Sequence, residues 1–125
     1  MAATRKTILL VDDSQTSIFV ERMILKARPY DLLVARDGEE AVRTAESHRP
    51  DLILMDVVMP RMNGFQAVEE IRKLESIRDV PIIMVSSRGE AGNVETGFEQ
   101  GCNDYVTKPV DATELLTKVD NLIGA

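Results

Sequence analysis

The 125-residue chain has too few cysteines and histidines for a cross-link or a zinc site, and it has no long apolar run. It has one cysteine and one histidine, so neither an internal disulfide nor a zinc site of the usual four-ligand kind can form. No apolar run approaches the roughly 18 residues that a membrane span requires, and no signal segment is recognisable. We therefore expect a cytoplasmic protein that is neither secreted nor inserted into a membrane.

An excess of positive charge is also missing. The 15 Lys and Arg are outnumbered by 21 Asp and Glu, which gives a net charge of -6. Because a surface that follows nucleic-acid phosphates carries the opposite sign, direct binding of nucleic acid is not expected. What the chain does have is the composition of an ordinary globular protein, 44% hydrophobic and 29% charged, at a length that suits one domain over residues 1–125.

Five short apolar runs recur along the chain, with helical spacing between them. Near-continuous apolar runs without strict alternation are typical of strands that are covered on both faces, as in a parallel sheet. Apolar residues spaced as on one helix face follow the last run, from Leu115 to Ile123. A βα unit repeated five times predicts a doubly wound, flavodoxin-like α/β fold with five parallel strands in the order 2-1-3-4-5 and five helices. The predicted strands are 7–11, 32–35, 52–55, 82–85 and 105–107.

Three acids follow two of these predicted strands. Asp12 and Asp13 come directly after the first, and Asp56 comes directly after the third. These strands are typically neighbours in a doubly wound sheet, so the carboxylates should meet in one crevice. Their mutual repulsion raises pKa values unless a cation offsets it. Since Mg²⁺ prefers one or two carboxylates with waters and phosphate oxygens, the cluster predicts phosphoryl chemistry more than a calcium cage.

Two further polar residues are predicted at the same edge of the sheet. Ser86 follows the fourth strand and Lys108 follows the fifth. A hydroxyl and an ammonium facing carboxylates are groups that can hold the oxygens of a phosphoryl group. Each of these residues alone is weak evidence for a phosphoryl site, but their combination in this order along the chain is specific.

With these residues in place, the sequence resembles the receiver domain of two-component response regulators, of the chemotaxis-regulator-like single-domain type. The resemblance covers essentially the whole chain and implies a phosphorylation-controlled signalling module. The stretches that carry it are ILLVDDS (8–14), ARDGEEAV (35–42), PDLILMDVVMPRMNG (50–64), PIIMVSSRGE (81–90) and GCNDYVTKPV (101–110).

The resemblance assigns a role to each candidate residue. Asp56 would accept a phosphoryl group from the phosphohistidine of a sensor histidine kinase or phosphotransfer protein and hold it as an acyl phosphate. Asp13, Asp56 and the backbone carbonyl of Val58 would ligate Mg²⁺, with Mn²⁺ as a substitute, and Asp12 would bind the metal or its waters. Such a domain is not an enzyme in the usual sense, because it catalyses only its own phosphorylation and dephosphorylation.

The resemblance also implies a switch. Ser86 would move towards the phosphoryl group, Lys108 would pair with that group, and Tyr105 would then rotate inward. A cis peptide bond between Lys108 and Pro109 is expected. The face formed by the fourth predicted helix, the fifth strand and the fifth helix would change for a downstream protein effector, in a protein that is a monomer or a weak dimer.

Other classes compete with this interpretation. The chain could be a receiver cut from a larger regulator, or a degenerate receiver that acts without phosphorylation. A haloacid-dehalogenase type phosphatase needs a second Asp at the position of Val58, and a flavodoxin-like cofactor binder does not suit the glycine-free, acidic DDSQTS loop.

Two departures from the family pattern carry further expectations. Val58 stands where a side chain flanks the route of the hydrolytic water, so we expect slow self-dephosphorylation. The fourth helical segment, 89–101, holds four of the seven glycines, and each interior glycine costs a helix about 1 kcal/mol. We therefore expect the fourth helix to be the least stable of the five.

Overall fold

The computed structural model describes residues 5–87 and 101–124 of the chain. Strands and helices alternate, with a 3-10 turn at Glu75–Ile77 before the fourth strand. In these two ranges the strands are β1 (Thr7–Val11), β2 (Asp31–Ala35), β3 (Leu52–Asp56), β4 (Ile82–Ser87) and β5 (Asp104–Lys108), and the helices are α1 (Gln15–Leu25), α2 (Gly38–His48), α3 (Gly64–Arg72) and α4 (Ala112–Ile123).

The five strands form one parallel sheet in the order β2-β1-β3-β4-β5, which confirms the predicted fold class and strand order. Strand order reverses between β1 and β3, the point at which a doubly wound sheet opens a crevice at its carboxyl edge. The fourth predicted helix lies almost entirely outside the described residues, so its predicted instability stays a prediction. Helix α4 corresponds to the fifth predicted helix.

Both faces of the sheet are covered, which explains the near-continuous apolar runs. Along β1, Leu9 and Val11 pack beneath α2 and α3, while Ile8 and Leu10 pack beneath α1 and α4. Each strand thus contributes alternate side chains to two separate cores. The sheet itself is the rigid platform from which the loops at its carboxyl edge project.

Each helix begins at a residue whose side chain accepts a hydrogen bond from the helix's first turn. Ser14, Asp37, Asn63 and Asp111 fill this position for α1 to α4, and Asn63 forms a full capping box with Gln66. The caps at Ser14, Asn63 and Asp111 are as predicted. Across 5–87 and 101–124, no helix is long and apolar enough to cross a membrane.

At the amino edge of the sheet, one arginine joins three segments. The Arg72 guanidinium, at the end of α3, donates to the carbonyls of Val80 and Arg78 at 2.7 and 2.8 Å. It also donates to the Gly101 carbonyl at 2.7 and 3.1 Å and to Asn103 Oδ1 at 3.2 Å. Burial lowers the pKa of Arg72, and the ring of acceptors compensates for its lost hydration. We call this set the Arg72 clamp.

Candidate functional site

The three predicted acids meet at the carboxyl edge of the sheet. Asp12 follows β1, and Asp56 is the last residue of the neighbouring strand β3. Asp12 is fully buried, Asp56 is 5% exposed, and Asp13 points to solvent. One carboxylate oxygen from each residue lies within 4.8 Å of the others, which is close enough for the three to share one ion. These are hard oxygen donors, the type that Mg²⁺ binds, so the residues present fit such an ion.

Lys108 reaches this cluster from β5, across the end of β4. Its Nζ lies 2.8 Å from Asp12 Oδ2 and 3.2 Å from Asp56 Oδ1, so one ammonium bridges two buried carboxylates. Asp12 is further held by the Ser14 backbone N–H, which donates to Oδ1 at 2.9 Å. The cation therefore stands beside Asp56 with its hydrogen bonds aimed into the crevice.

The electrostatics of the site are not balanced by Lys108 alone. Burial, followed by the charge of Asp12, raises the pKa of Asp56 from 3.8 to about 6, although Lys108 opposes the change. Burial also works against the charge of Lys108, but the hydrogen bond to Asp12 and the nearby Asp56 raise its pKa overall. Three carboxylates and one ammonium leave excess negative charge in the crevice, which a divalent cation would neutralise.

Ser86 and Tyr105 lie on β4 and β5, the two strands that follow β3 across the sheet. Ser86 is 5% exposed and sits in β4, one residue beyond the level of Asp56, which pairs with Val85. The half-buried Tyr105 is the second residue of β5 and packs against the core beneath α2 and α3. Strands β3, β4 and β5 each extend further than predicted, so Asp56, Ser86 and Lys108 lie within strand ends and not after them.

The loop after β3 contains the remaining predicted residue. Val58 follows Asp56 by two positions, and its side chain is 61% exposed beside the site. The structure does not test the predicted ligation of a metal by its carbonyl. The cis peptide bond between Lys108 and Pro109 is present as predicted.

Gly64 allows α3 to begin directly against the end of strand β3. A Cβ atom at this position would lie 2.1 Å from the Asp56 carbonyl oxygen, which no side chain can tolerate. The Gly64 N–H donates to the Val57 carbonyl at 2.8 Å. The glycine is thus required by close approach of two backbones, which holds the end of β3 in place.

One acid near the site was missed from the sequence. Glu21 on α1 is 2% exposed, and its Oε1 has no hydrogen-bond partner among the described residues. Burial, then the charge of Asp12, raises the pKa of Glu21 from 4.5 to about 8, so it is mainly protonated at neutral pH. The available signal was its place in the buried stripe of α1 between Ile18 and Leu25.

The fold and the site together define a class of protein. It is a doubly wound α/β domain that holds three clustered carboxylates and a bridging lysine at the switch point of its sheet. The family model of the response regulator receiver domain matches residues 8–120, and the chain belongs to this family, as its resemblance implied.

Individual relatives agree with this assignment. Protein PilH of Pseudomonas aeruginosa is 36% identical over 117 residues, 94% of this chain and 97% of PilH. The alkaline phosphatase synthesis transcriptional regulatory protein PhoP of Bacillus subtilis is 34% identical over 94% of this chain, which spans only 48% of PhoP. The receiver domain of sensor histidine kinase PA1611 from P. aeruginosa, solved with magnesium in its active site cleft, has a TM-score of 0.88 and 37% identity, covering 98% of this chain and 100% of that one.

Proposed function

We propose that this receiver domain accepts a phosphoryl group on Asp56, in a Mg²⁺-dependent reaction, from the phosphohistidine of a sensor histidine kinase or a phosphotransfer protein. The observation that carries the proposal is the Lys108 ammonium between two buried carboxylates, with a third carboxylate within 4.8 Å. A lysine beside a single carboxylate would form a neutral ion pair. Three carboxylates around one lysine leave excess negative charge, which suits the binding of a metal ion together with phosphoryl oxygens.

The transfer requires an ionised Asp56. Its carboxylate oxygen attacks phosphorus, an O–P bond forms, and the P–N bond to the histidine breaks with its electron pair left on the imidazole. With a pKa of about 6, Asp56 is mostly ionised at neutral pH and can act as the nucleophile. Lys108 would turn from the carboxylates to the new phosphoryl oxygens. Asp12, Asp13, Asp56 and the Val58 carbonyl would hold the Mg²⁺, which supplies charge neutralisation at the phosphoryl group.

The exposed face of α1 supports a protein as the phosphoryl donor. Phe19 and Met23 are 63% and 53% exposed on this helix, and Val20 lies between them. The helix starts three residues after Asp12, so this apolar surface adjoins the crevice. Large apolar side chains left in water beside a reaction site are typical of a surface that a partner covers.

Phosphorylation would be read out by a downstream protein effector. A phosphoryl group on Asp56 would attract the Ser86 hydroxyl, and the space released would admit the Tyr105 ring, which shifts an existing equilibrium at β5 and α4. The domain would act in the cytoplasm as a monomer or weak dimer. It would catalyse only its own phosphorylation and hydrolysis.

The test is to incubate the protein with Mg²⁺ and acetyl phosphate and to measure its intact mass. We expect one phosphoryl adduct in the wild type, none in Asp56→Asn, and none when EDTA removes the metal. Asp79→Asn is the matched control, since Asp79 is exposed and distant from the site. Absence of an adduct on the folded wild type would show a degenerate receiver, and an adduct on Asp56→Asn would place the acceptor elsewhere.

A further inference from the structure

Lys118 lies where the last strand and the last helix meet. From α4, its Nζ donates a hydrogen bond to the Tyr105 carbonyl of β5 at 2.5 Å. The same ammonium stands 5.1 Å from the centre of the Tyr105 ring, within the range of a cation–π contact. One side chain therefore contacts both the backbone and the ring of the predicted aromatic switch.

Two carboxylates keep this ammonium in place. Asp104 Oδ1 and Glu114 Oε2 each lie 3.4 Å from Lys118 Nζ, one from β5 and one from the preceding turn of α4. The side chain is 22% exposed, so its stem is packed and its charge is only partly hydrated. None of these anchors involves the Tyr105 ring. The ring can thus leave the ammonium while the ammonium stays where it is.

We propose that Lys118 is a positioning residue that holds the Tyr105 ring in its present place and so sets how readily the ring rotates. The inference rests on the proposed function, in which rotation of Tyr105 follows phosphorylation. Attraction between the ammonium and the ring face favours the ring position seen here and is lost when the ring turns away. Because the cation is fixed by Asp104, Glu114 and a backbone carbonyl, it biases one of two ring positions without moving itself.

Removal of the cation should therefore shift the ring equilibrium before any phosphorylation. A cation–π contact of ordinary strength corresponds to about a two- to fivefold change in the ratio of the two ring positions. Lys118→Gln removes the charge, whereas Lys118→Arg keeps a cation that can lie over an aromatic face. The conservative variant should thus retain the wild-type ring position, which a merely space-filling role of Lys118 would not require.

The chain offers a clean spectroscopic reporter for this test. It has two tyrosines and no tryptophan, so Tyr30→Phe leaves Tyr105 as the sole tyrosine emitter when the protein is excited above the phenylalanine absorption band. The Tyr30 hydroxyl is buried and has no hydrogen-bond partner among the described residues, so its removal should be tolerated. Lifetime-corrected quenching by acrylamide then measures how accessible the Tyr105 ring is to solvent.

In the Tyr30→Phe protein, we expect acetyl phosphate with Mg²⁺ to lower the quenching constant as the ring turns inward. Lys118→Gln should lower it without phosphorylation, and Lys118→Arg should not. Lys73→Met is the control and should leave the quenching constant unchanged, because it removes an exposed lysine that follows α3 and pairs with Glu69 and Glu70. Urea unfolding of each variant shows whether the fold is retained.

An unphosphorylated Lys118→Gln protein with the wild-type quenching constant would overturn the inference, as would an equal change in Lys118→Arg. Intact mass, measured on the same samples, separates this result from failure of the proposed function. If the wild type forms no adduct, phosphoryl acceptance is wrong, while the Gln and Arg variants still decide whether Lys118 positions the ring.

Discussion

The two edges of the sheet hold their charged side chains in opposite ways. At the amino edge, the Arg72 clamp surrounds one cation with three carbonyls and an amide oxygen, all within hydrogen-bond distance. At the carboxyl edge, buried Asp12 and Asp56 share one ammonium, Glu21 is buried nearby, and the pKa values of Asp56 and Glu21 are raised. The charge at the amino edge is matched by hydrogen-bond acceptors, whereas the carboxyl edge carries excess negative charge.

This difference separates a stabilising site from a reactive one. A half-buried charge whose donors all find acceptors contributes to stability, because each hydrogen bond lost to water is replaced. Buried carboxylates that repel each other cost stability, and they persist where a ligand relieves the repulsion. The contrast predicts that substitutions at the two edges will change stability in opposite directions.

The largest expected effect is at Glu21. The folded protein holds a proton on Glu21 up to about pH 8, whereas the unfolded chain releases it near 4.5, so stability falls as pH rises through this window. Glu21→Gln removes the titration, and its stability relative to wild type should rise by about 4 kcal/mol between pH 4 and pH 8. Urea unfolding across this range in metal-free buffer measures the difference.

Glu46→Gln serves as the matched control for Glu21, since Glu46 is an exposed helical glutamate on α2. It should leave the pH dependence of stability unchanged. A difference between Glu21→Gln and wild type that does not vary with pH would show that Glu21 carries no raised pKa, and the contrast between the edges would then rest on Asp56 alone.

Substitution at the Arg72 clamp should lower stability, the opposite of the change expected for Glu21→Gln. Arg72→Met leaves the carbonyls of Val80 and Gly101 without their donor, so we expect a loss of about 2 to 3 kcal/mol in the free energy of unfolding. Phosphorylation by acetyl phosphate should proceed as in wild type, because the clamp lies at the other edge. Urea unfolding and intact mass measure the two quantities.

Arg43→Met, at an exposed position on α2, is the control for the clamp and should change stability little. If Arg72→Met were as stable as this control, the clamp would make no contribution to the stability of the fold. Slower phosphorylation in a folded Arg72→Met protein would show that the two edges are coupled.

The smallest expected effect concerns rate at the reactive edge. Val58 is exposed beside the site and offers no hydrogen bond to an attacking water. Val58→Asn should therefore speed decay of the phosphorylated protein by about three- to tenfold, with little change in stability. Loss of the adduct with time, followed by intact mass, gives the rate. Val20→Asn, on the exposed face of α1, is the control, and equal decay in wild type and Val58→Asn would refute the expected protection.

The fold was predictable because its signals are local. Each strand is a short apolar run, and the helix caps at Ser14, Asn63 and Asp111 were predicted. Strand ends were less well predicted, since Asp56, Ser86 and Lys108 are polar and yet continue the ladder. Backbone pairing with a neighbouring strand decided these ends, and no single segment contains that information.

The candidate site was predictable only in part. Asp12, Asp13, Asp56 and Lys108 follow from the placement of parallel strand ends along one edge. Glu21, Lys118 and Arg72 were not identified, since each lies on a helix where a charged residue is ordinarily solvated. Their importance depends on which helix face the packing buries.

The sequence by itself determined the order of βα units, the acids and the lysine that meet at one edge, and through them the receiver family. These features depend on chain order and on the fixed geometry of parallel strands. Only the tertiary structure decided that Glu21 is buried with its Oε1 unpartnered among the described residues, that Lys118 lies over the Tyr105 ring, and that Arg72 joins three segments. The reason is physical, because burial and hydrogen-bond partners are properties of packed surfaces that come from distant parts of the chain.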